Sequence, residues 1–129
     1  MTHIINSLDE ISHHYDALFV DLWGCVHNGI VAYTAAVEAL IEYRKNGGKV
    51  VLVTNSPKPR IGVEKQLLHF NVPKICYDTV ATSGDSARVA MFTGVVGKKI
   101  FFIGEPRDQL FFEPISIIKS PIKIEQVSI

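Results

Sequence analysis

The sequence has no surplus of either charge sign: 13 Lys and Arg balance 13 Asp and Glu over 129 residues. With no summed field to gather phosphate backbones or anionic lipid, no nucleic-acid or membrane partner is expected, and any anion site has to be local. Cysteine is scarce: Cys25 and Cys76 lack CxxC spacing and read as reduced thiols in a reducing compartment. The five histidines, His3, His13, His14, His27 and His69, show neither HxH nor HExxH spacing, so no zinc site is expected. No apolar run approaches the ~20 residues of a membrane span. The opening MTHIINSLDE has neither the basic nor the apolar region of a signal peptide, so a cytoplasmic location is the default. Repeats and low-complexity stretches are missing, and GxGxxG is absent, which leaves Gly47-Gly48 as a helix stop rather than a nucleotide loop.

What is present is a series of short apolar runs, each ending in polar residues. Residues 17–20 (ALFV) are long enough for a buried strand and stop at Asp21, with Gly24 three residues on. Residues 49–53 (KVVLV) end in Thr54-Asn55, and residues 78–82 (DTVAT) end in Thr82-Ser83-Gly84. Helical periodicity lies between them. Val37, Leu40 and Ile41 share one face after Thr34, a potential cap, and Val63, Leu67 and Phe70 share another after Pro57 and Pro59. Strand, helix, strand is the βαβ pattern, so the expected fold is α/β with a Rossmann-like parallel sheet. In such sheets ligands sit beyond the carboxyl ends of the strands. Asp21, on a central strand, and Thr54 would then stand side by side at one mouth.

The remaining segments read as scaffold. Ser7-Leu-Asp-Glu10 has the capping-box spacing and predicts a helix over 8–15 that buries Leu8, Ile11 and Tyr15. Asn28-Gly29 between apolar pairs predicts a β-hairpin flap just past Asp21. A helix is expected over 85–92 and a strand over 98–103 (KKIFFI). Beyond residue 113, loosely alternating isoleucines are interrupted by Pro114 and Pro121. The length is that of a single ordinary domain with one core.

FVDLWGCVHNG, then VLVTNSPKP, then TVATSGDSA, in this order and spacing, resembles the N-terminal part of the haloacid-dehalogenase-like (HAD) hydrolases. The likeness is to subclass IIA, phosphatases related to nitrophenylphosphatase and to nucleotide and sugar phosphatases. The resemblance implies a phosphohydrolase acting on a small phosphorylated metabolite, with Asp21 as the nucleophile that becomes phosphorylated. It makes Thr54 the ligand of the transferring phosphoryl group, with Asn55, Gly24 and Ser83 as further phosphate or substrate contacts. It also implies Mg2+, held by the Asp21 carboxylate and the backbone carbonyl of Trp23. A carboxylate is already ionised at neutral pH, but it needs a cation to offset repulsion from the phosphate.

Two departures accompany the resemblance. The family places a second aspartate, its general acid, two residues after the nucleophile, where this chain has Trp23. Indole transfers no proton, so Trp23 reads as a stacking platform or a rim residue, and His27 is the available substitute acid. The family's lysine and acidic-pair motifs also have no counterpart here. The expected organisation is the N-terminal half of the core over residues 1–84 and the start of an inserted class II cap over 85–129. A chain so divided is expected to be inactive or weak alone, and to associate with itself or with a complementing C-terminal polypeptide. The alternative reading is a non-catalytic remnant or interaction module that keeps the front half of the fold.

Overall fold

A computed structural model describes residues 3–97, 99–105, 108, 111–112 and 125–127. The isoleucine-rich stretch with Pro114 and Pro121, and Lys98 at the start of the expected strand, lie outside the described residues. Elements follow in the order α1 (Asp9–Ser12), β1 (Ala17–Asp21), α2 (Thr34–Lys45), β2 (Lys49–Thr54), α3 (Arg60–His69), a 3-10 turn (Lys74–Cys76), β3 (Thr79–Thr82), α4 (Ser83–Phe92), β4 (Lys99–Phe101) and β5 (Glu125–Val127). Where length alone pointed to one core, the chain divides into two compact units. The first holds residues 1–54 and 62–81, and the second holds 55–61 and 82–129.

The first unit is built on a parallel three-stranded sheet in the order β1-β2-β3. β1 pairs with β2 from Ala17 opposite Lys49 to Asp21 opposite Val53. Pleating sends Val50 and Leu52 to one face, where they pack with Leu40 and Tyr43 of α2, Val63 and Leu67 of α3, and Val72, Cys76, Tyr77 and Val80. Leu18 and Val20 of β1 lean on this cluster. The opposite face is bare: Ala17 and Asp21 are exposed, and so is Phe19, at 78%. β1 was expected at the centre of the sheet, but the middle strand is β2. β1 forms an edge, because no described strand pairs with its other side.

One carboxylate ties the start of β2 to its neighbours. Asp78 accepts the Val50 amide at 2.8 Å and the Arg44 guanidinium through both oxygens, Nε to Oδ2 at 3.1 Å and Nη2 to Oδ1 at 3.0 Å. Its own amide donates to the Val50 carbonyl at 2.8 Å. The strand expected from residue 78 therefore begins one residue later, with Asp78 serving as its anchor. The Val50 amide, and after it the paired Arg44, hold the Asp78 carboxyl below its ordinary range. Arg44, whose place at the helix end suits the dipole, is taken up in this bidentate pair.

Helix ends departed most from expectation. α1 is a single turn, and Tyr15 is exposed rather than buried. Glu10 forms its half of the capping box by accepting the amides of Asn6 and Ser7, but no side chain caps the helix. The residue before α2 is Tyr33, so Thr34 is helical and not a cap. In the second unit, Thr82 caps α4, its Oγ1 accepting the Asp85 amide at 2.9 Å. β4 and β5 form a separate two-stranded parallel sheet there.

Replacing Asp78 by Ala removes the side-chain acceptor of the buried Val50 amide and the bidentate partner of Arg44, which keeps only its bond to the Ile75 carbonyl among these. The expected loss is about 1–3 kcal/mol of unfolding free energy at pH 7, measured by urea titration. Because the folded-state carboxyl titrates below the unfolded value of about 3.9, its contribution is complete above that pH and disappears as pH falls through the folded value. The gap between wild type and Asp78→Ala should therefore be constant from pH 5 to 7 and close on acidification.

Candidate active site at the strand ends

β1 ends at Asp21 because the next residues turn back on themselves. The Leu22 carbonyl accepts the amides of Cys25, Val26 and His27 at 3.3, 2.9 and 3.2 Å, and the Gly24 amide donates to the His27 carbonyl at 2.8 Å. Gly24 holds φ +79 with open space around its α-carbon, so glycine is required there by backbone conformation and not by crowding. Leu22 and Val26 are buried, which leaves Asp21 and Trp23 facing solvent on either side of Leu22.

The expected hairpin after Asp21 is a closed loop with isolated bridges between Trp23 and His27 and between His27 and Ala32. The reason is Asn28, whose Oδ1 accepts the amides of Ile30 and Val31, each at 2.9 Å, and so occupies donors that a strand ladder would use. His27 fixes the loop from beneath. It is buried to 6% exposure, its Nδ1 accepts the Gly29 amide at 3.0 Å, and its ring packs on Phe70 with centroids 4.8 Å apart. That hydrogen bond assigns the ring proton to Nε2. Burial lowers the His27 pKa, against the opposing pull of the Asp21 charge, which favours a neutral imidazole. His27 is therefore a structural member of this loop, a role that only the fold reveals.

The Trp23 indole meets the His27 ring edge-on at 5.9 Å and 83°. It also lies against Gly29, where a Cβ would collide with the six-membered ring. Its remaining surface is open, and Trp23 is 68% exposed.

Thr54 ends β2 one residue beyond the partner of Asp21. The two residues thus sit at the same end of adjacent strands. By pleating, Asp21 belongs to the face of Ala17 and Phe19, and Thr54 to the face of Val50 and Leu52, so the pair straddles the end of the sheet. Asn55 and Ser83 belong to the second unit, and both are exposed. There the Gly84 amide donates to the Ser56 carbonyl at 3.0 Å, and a Cβ on Gly84 would strike the Pro57 carbonyl, so glycine permits this close approach. Asp85 closes the same corner by accepting the Arg60 amide at 3.0 Å.

Among the described residues, no group of three or more His, Cys, Asp or Glu could hold a metal. Asp21 and the Trp23 carbonyl offer two hard oxygen donors from one loop. That donor set fits a magnesium ion that keeps several waters and takes substrate phosphate oxygen, not a cage made of protein alone.

The model of the haloacid dehalogenase-like hydrolases matches residues 18–115, and the chain belongs to that family. A hydrolase of the haloacid dehalogenase-like family from Brucella suis 1330, known from its crystal structure, is similar at 37% identity with a TM-score of 0.81. The alignment covers 97% of this chain and 44% of that one, so this chain spans less than half the length of that relative. No curated protein matches it. No helix among the described residues is long and apolar enough to cross a membrane.

Gly29→Ala tests the packing of this loop. Position 29 holds φ +88 and has no room for a Cβ. The substitution should cost about 1–2 kcal/mol for the left-handed backbone alone and push the indole outward. Because Trp23 is the only tryptophan, its fluorescence reports the displacement directly. An emission spectrum unchanged from wild type would contradict the contact.

Proposed function

We propose that this chain carries the front half of a phosphohydrolase active site of the subclass IIA type, acting on small phosphomonoesters in the cytoplasm. The observation that carries the reading is the β1–β2 register, which sets Asp21 and Thr54 at one end of a parallel sheet, where α/β folds bind ligands. Asp21, exposed at the end of β1, attacks phosphorus in line as the ester P–O bond breaks and the departing oxygen leaves with its electron pair, giving an aspartyl-phosphate, and the Thr54 hydroxyl supports the transferring phosphoryl oxygens over the sheet end. Gly24 serves as the turn residue after Asp21, its amide taken by the His27 carbonyl, and Asn55 and Ser83 are assigned to phosphate or substrate contact by the resemblance. Mg2+, held by the Asp21 carboxylate and the Trp23 carbonyl, would offset the repulsion between the two anions.

No acid stands at position 23. Absence of a general acid or base lowers rates by about 10²- to 10⁴-fold, in release of the leaving oxygen and again in activation of the water that cleaves the acyl phosphate. The second loss makes the covalent intermediate accumulate. With Mg2+ and 4-nitrophenyl phosphate, the chain should therefore take up one phosphoryl group on Asp21, visible in the intact mass after acid quenching, and then turn over slowly. Asp21→Asn should show neither. Wild type with no mass increase and no product above buffer would end the reading.

The bare sheet face supports a second part of the proposal. Parallel sheets are covered on both faces, yet Phe19 and Val53 are exposed on one side of this one. The relative from Brucella suis has more than half its length beyond the matched region. We assign that face to a complementing C-terminal polypeptide, in whose absence two copies of the chain cover each other. Sedimentation should then show concentration-dependent association that Phe19→Glu abolishes, whereas a clean wild-type monomer at high concentration would overturn the assignment.

A further inference from the structure

We infer that His27 is the positioning residue of the cation site: its main chain aims the Trp23 carbonyl, and its Nδ1 holds His27 itself in the place from which it does so. The inference rests on the phosphohydrolase reading, in which that carbonyl and the Asp21 carboxylate hold Mg2+, and it names the residue that presents one of the two donors.

Two hydrogen bonds fix the direction of the carbonyl. The His27 amide donates to the Leu22 carbonyl at 3.2 Å, and the His27 carbonyl accepts the Gly24 amide at 2.8 Å, so His27 grips both peptide groups that flank Trp23. In a trans peptide the N–H and C=O of one planar unit point opposite ways. The Gly24 N–H faces His27, and the Trp23 C=O of the same unit therefore faces away from it. The Leu22 carbonyl is turned inward, where three amides end on it. Among the described residues nothing donates to the Trp23 carbonyl. Of these two carbonyls, only that of Trp23 is directed outward with its lone pairs available to a hard cation.

The His27 side chain keeps this grip in place. The ring is 6% exposed and lies on Phe70, whose carbonyl also accepts the Ala32 amide at 2.8 Å, so the loop is docked at two points on the residue that follows α3. Nδ1 accepts the Gly29 amide at 3.0 Å, while Asn28 Oδ1 takes those of Ile30 and Val31. Three successive amides thus end on two neighbouring side chains. An apolar ring could fill the same volume, but it could not accept the Gly29 amide, and an unmet donor in this part-buried turn favours reopening it to water. Outer partners of this kind orient the groups that bind a metal, and losing one lowers metal affinity about 10- to 100-fold.

The test titrates Mg2+ alone into the isotope-labelled 129-residue chain and follows its amide resonances, with no substrate present. Those of Asp21, Trp23 and Gly24 should shift saturably. His27→Phe, which keeps a ring and loses the acceptor, should weaken that response about tenfold or more. His27→Asn should stay within about threefold of wild type, because an asparagine side chain accepts the amide two residues on by its own local geometry. Wild type supplies a check that needs no variant to fold: coupling is reciprocal, so Mg2+ should slow hydrogen exchange at the Gly24 and Gly29 amides. Lower urea midpoints in both variants with the Mg2+ response unchanged would make His27 merely structural and overturn the inference. Equal losses of response in both variants, exchange at Gly29 untouched by saturating Mg2+, or no Mg2+ response in wild type would each do the same. The two readings fail separately. Phosphoenzyme on Asp21 with Mg2+ affinity indifferent to His27 removes only this inference, whereas an Mg2+ response that follows His27 in a chain that takes up no phosphoryl group removes only the chemistry.

Discussion

Everything placed at the strand ends depends on the pairing of β1 with β2. With Asp21 opposite Val53, Thr54 is the first residue past the pair and both lie at the carboxyl end of the sheet. A slip of one residue would send Val50 and Leu52 to the bare face and withdraw Thr54 from the end. What prevents the slip is the burial of Val50 and Leu52 on one side and the Asp78 carboxylate at the base of the strand, which holds the Val50 amide and Arg44 together. The anchor sits at one end of β2 and the candidate site, Asp21 and Thr54, at the other. The site is thereby fixed from a distance by groups that take no part in it.

Much of this was legible in the sequence because strands announce their ends. Apolar runs closing on Asp21, on Thr54-Asn55 and on Thr82-Ser83-Gly84 located three strands to within a residue, and the helical spacing of Val63, Leu67 and Phe70 found the buried face of α3. The failures were of another kind. Which residue stands at a helix cap depends on local backbone angles, so Thr34 has the residue type of a cap and yet is the first residue of α2. Asn28-Gly29 is a strong hairpin signal, but the Asn28 side chain took the amides that strand pairing would have used. The tie between Arg44 and Asp78 spans 34 residues of sequence, and no local pattern carries it. The edge position of β1 could not be read locally either, since residues 17–20 look equally apolar at an edge or at the centre.

The bare sheet face changes what the apolar pattern of β1 means. Phe19 would be an ordinary core residue in a sheet covered on both sides, and here it lies open. An aromatic side chain in a half-exposed strand is thus an apolar surface presented to water by the described residues.

The loop after Asp21 bears on how a tryptophan is held two residues past that carboxylate. A proton donor at that position has to move with the reaction and stay in contact with water and leaving group. An indole has to do the opposite, holding still and presenting one face. The loop is built for stillness: a buried neutral histidine beneath, a glycine with no room for a Cβ behind, and an asparagine that closes the turn with its own side chain. None of these features would help a carboxylic acid at position 23 to shuttle protons, and all of them help a flat surface keep its orientation. The replacement is thus matched by its surroundings.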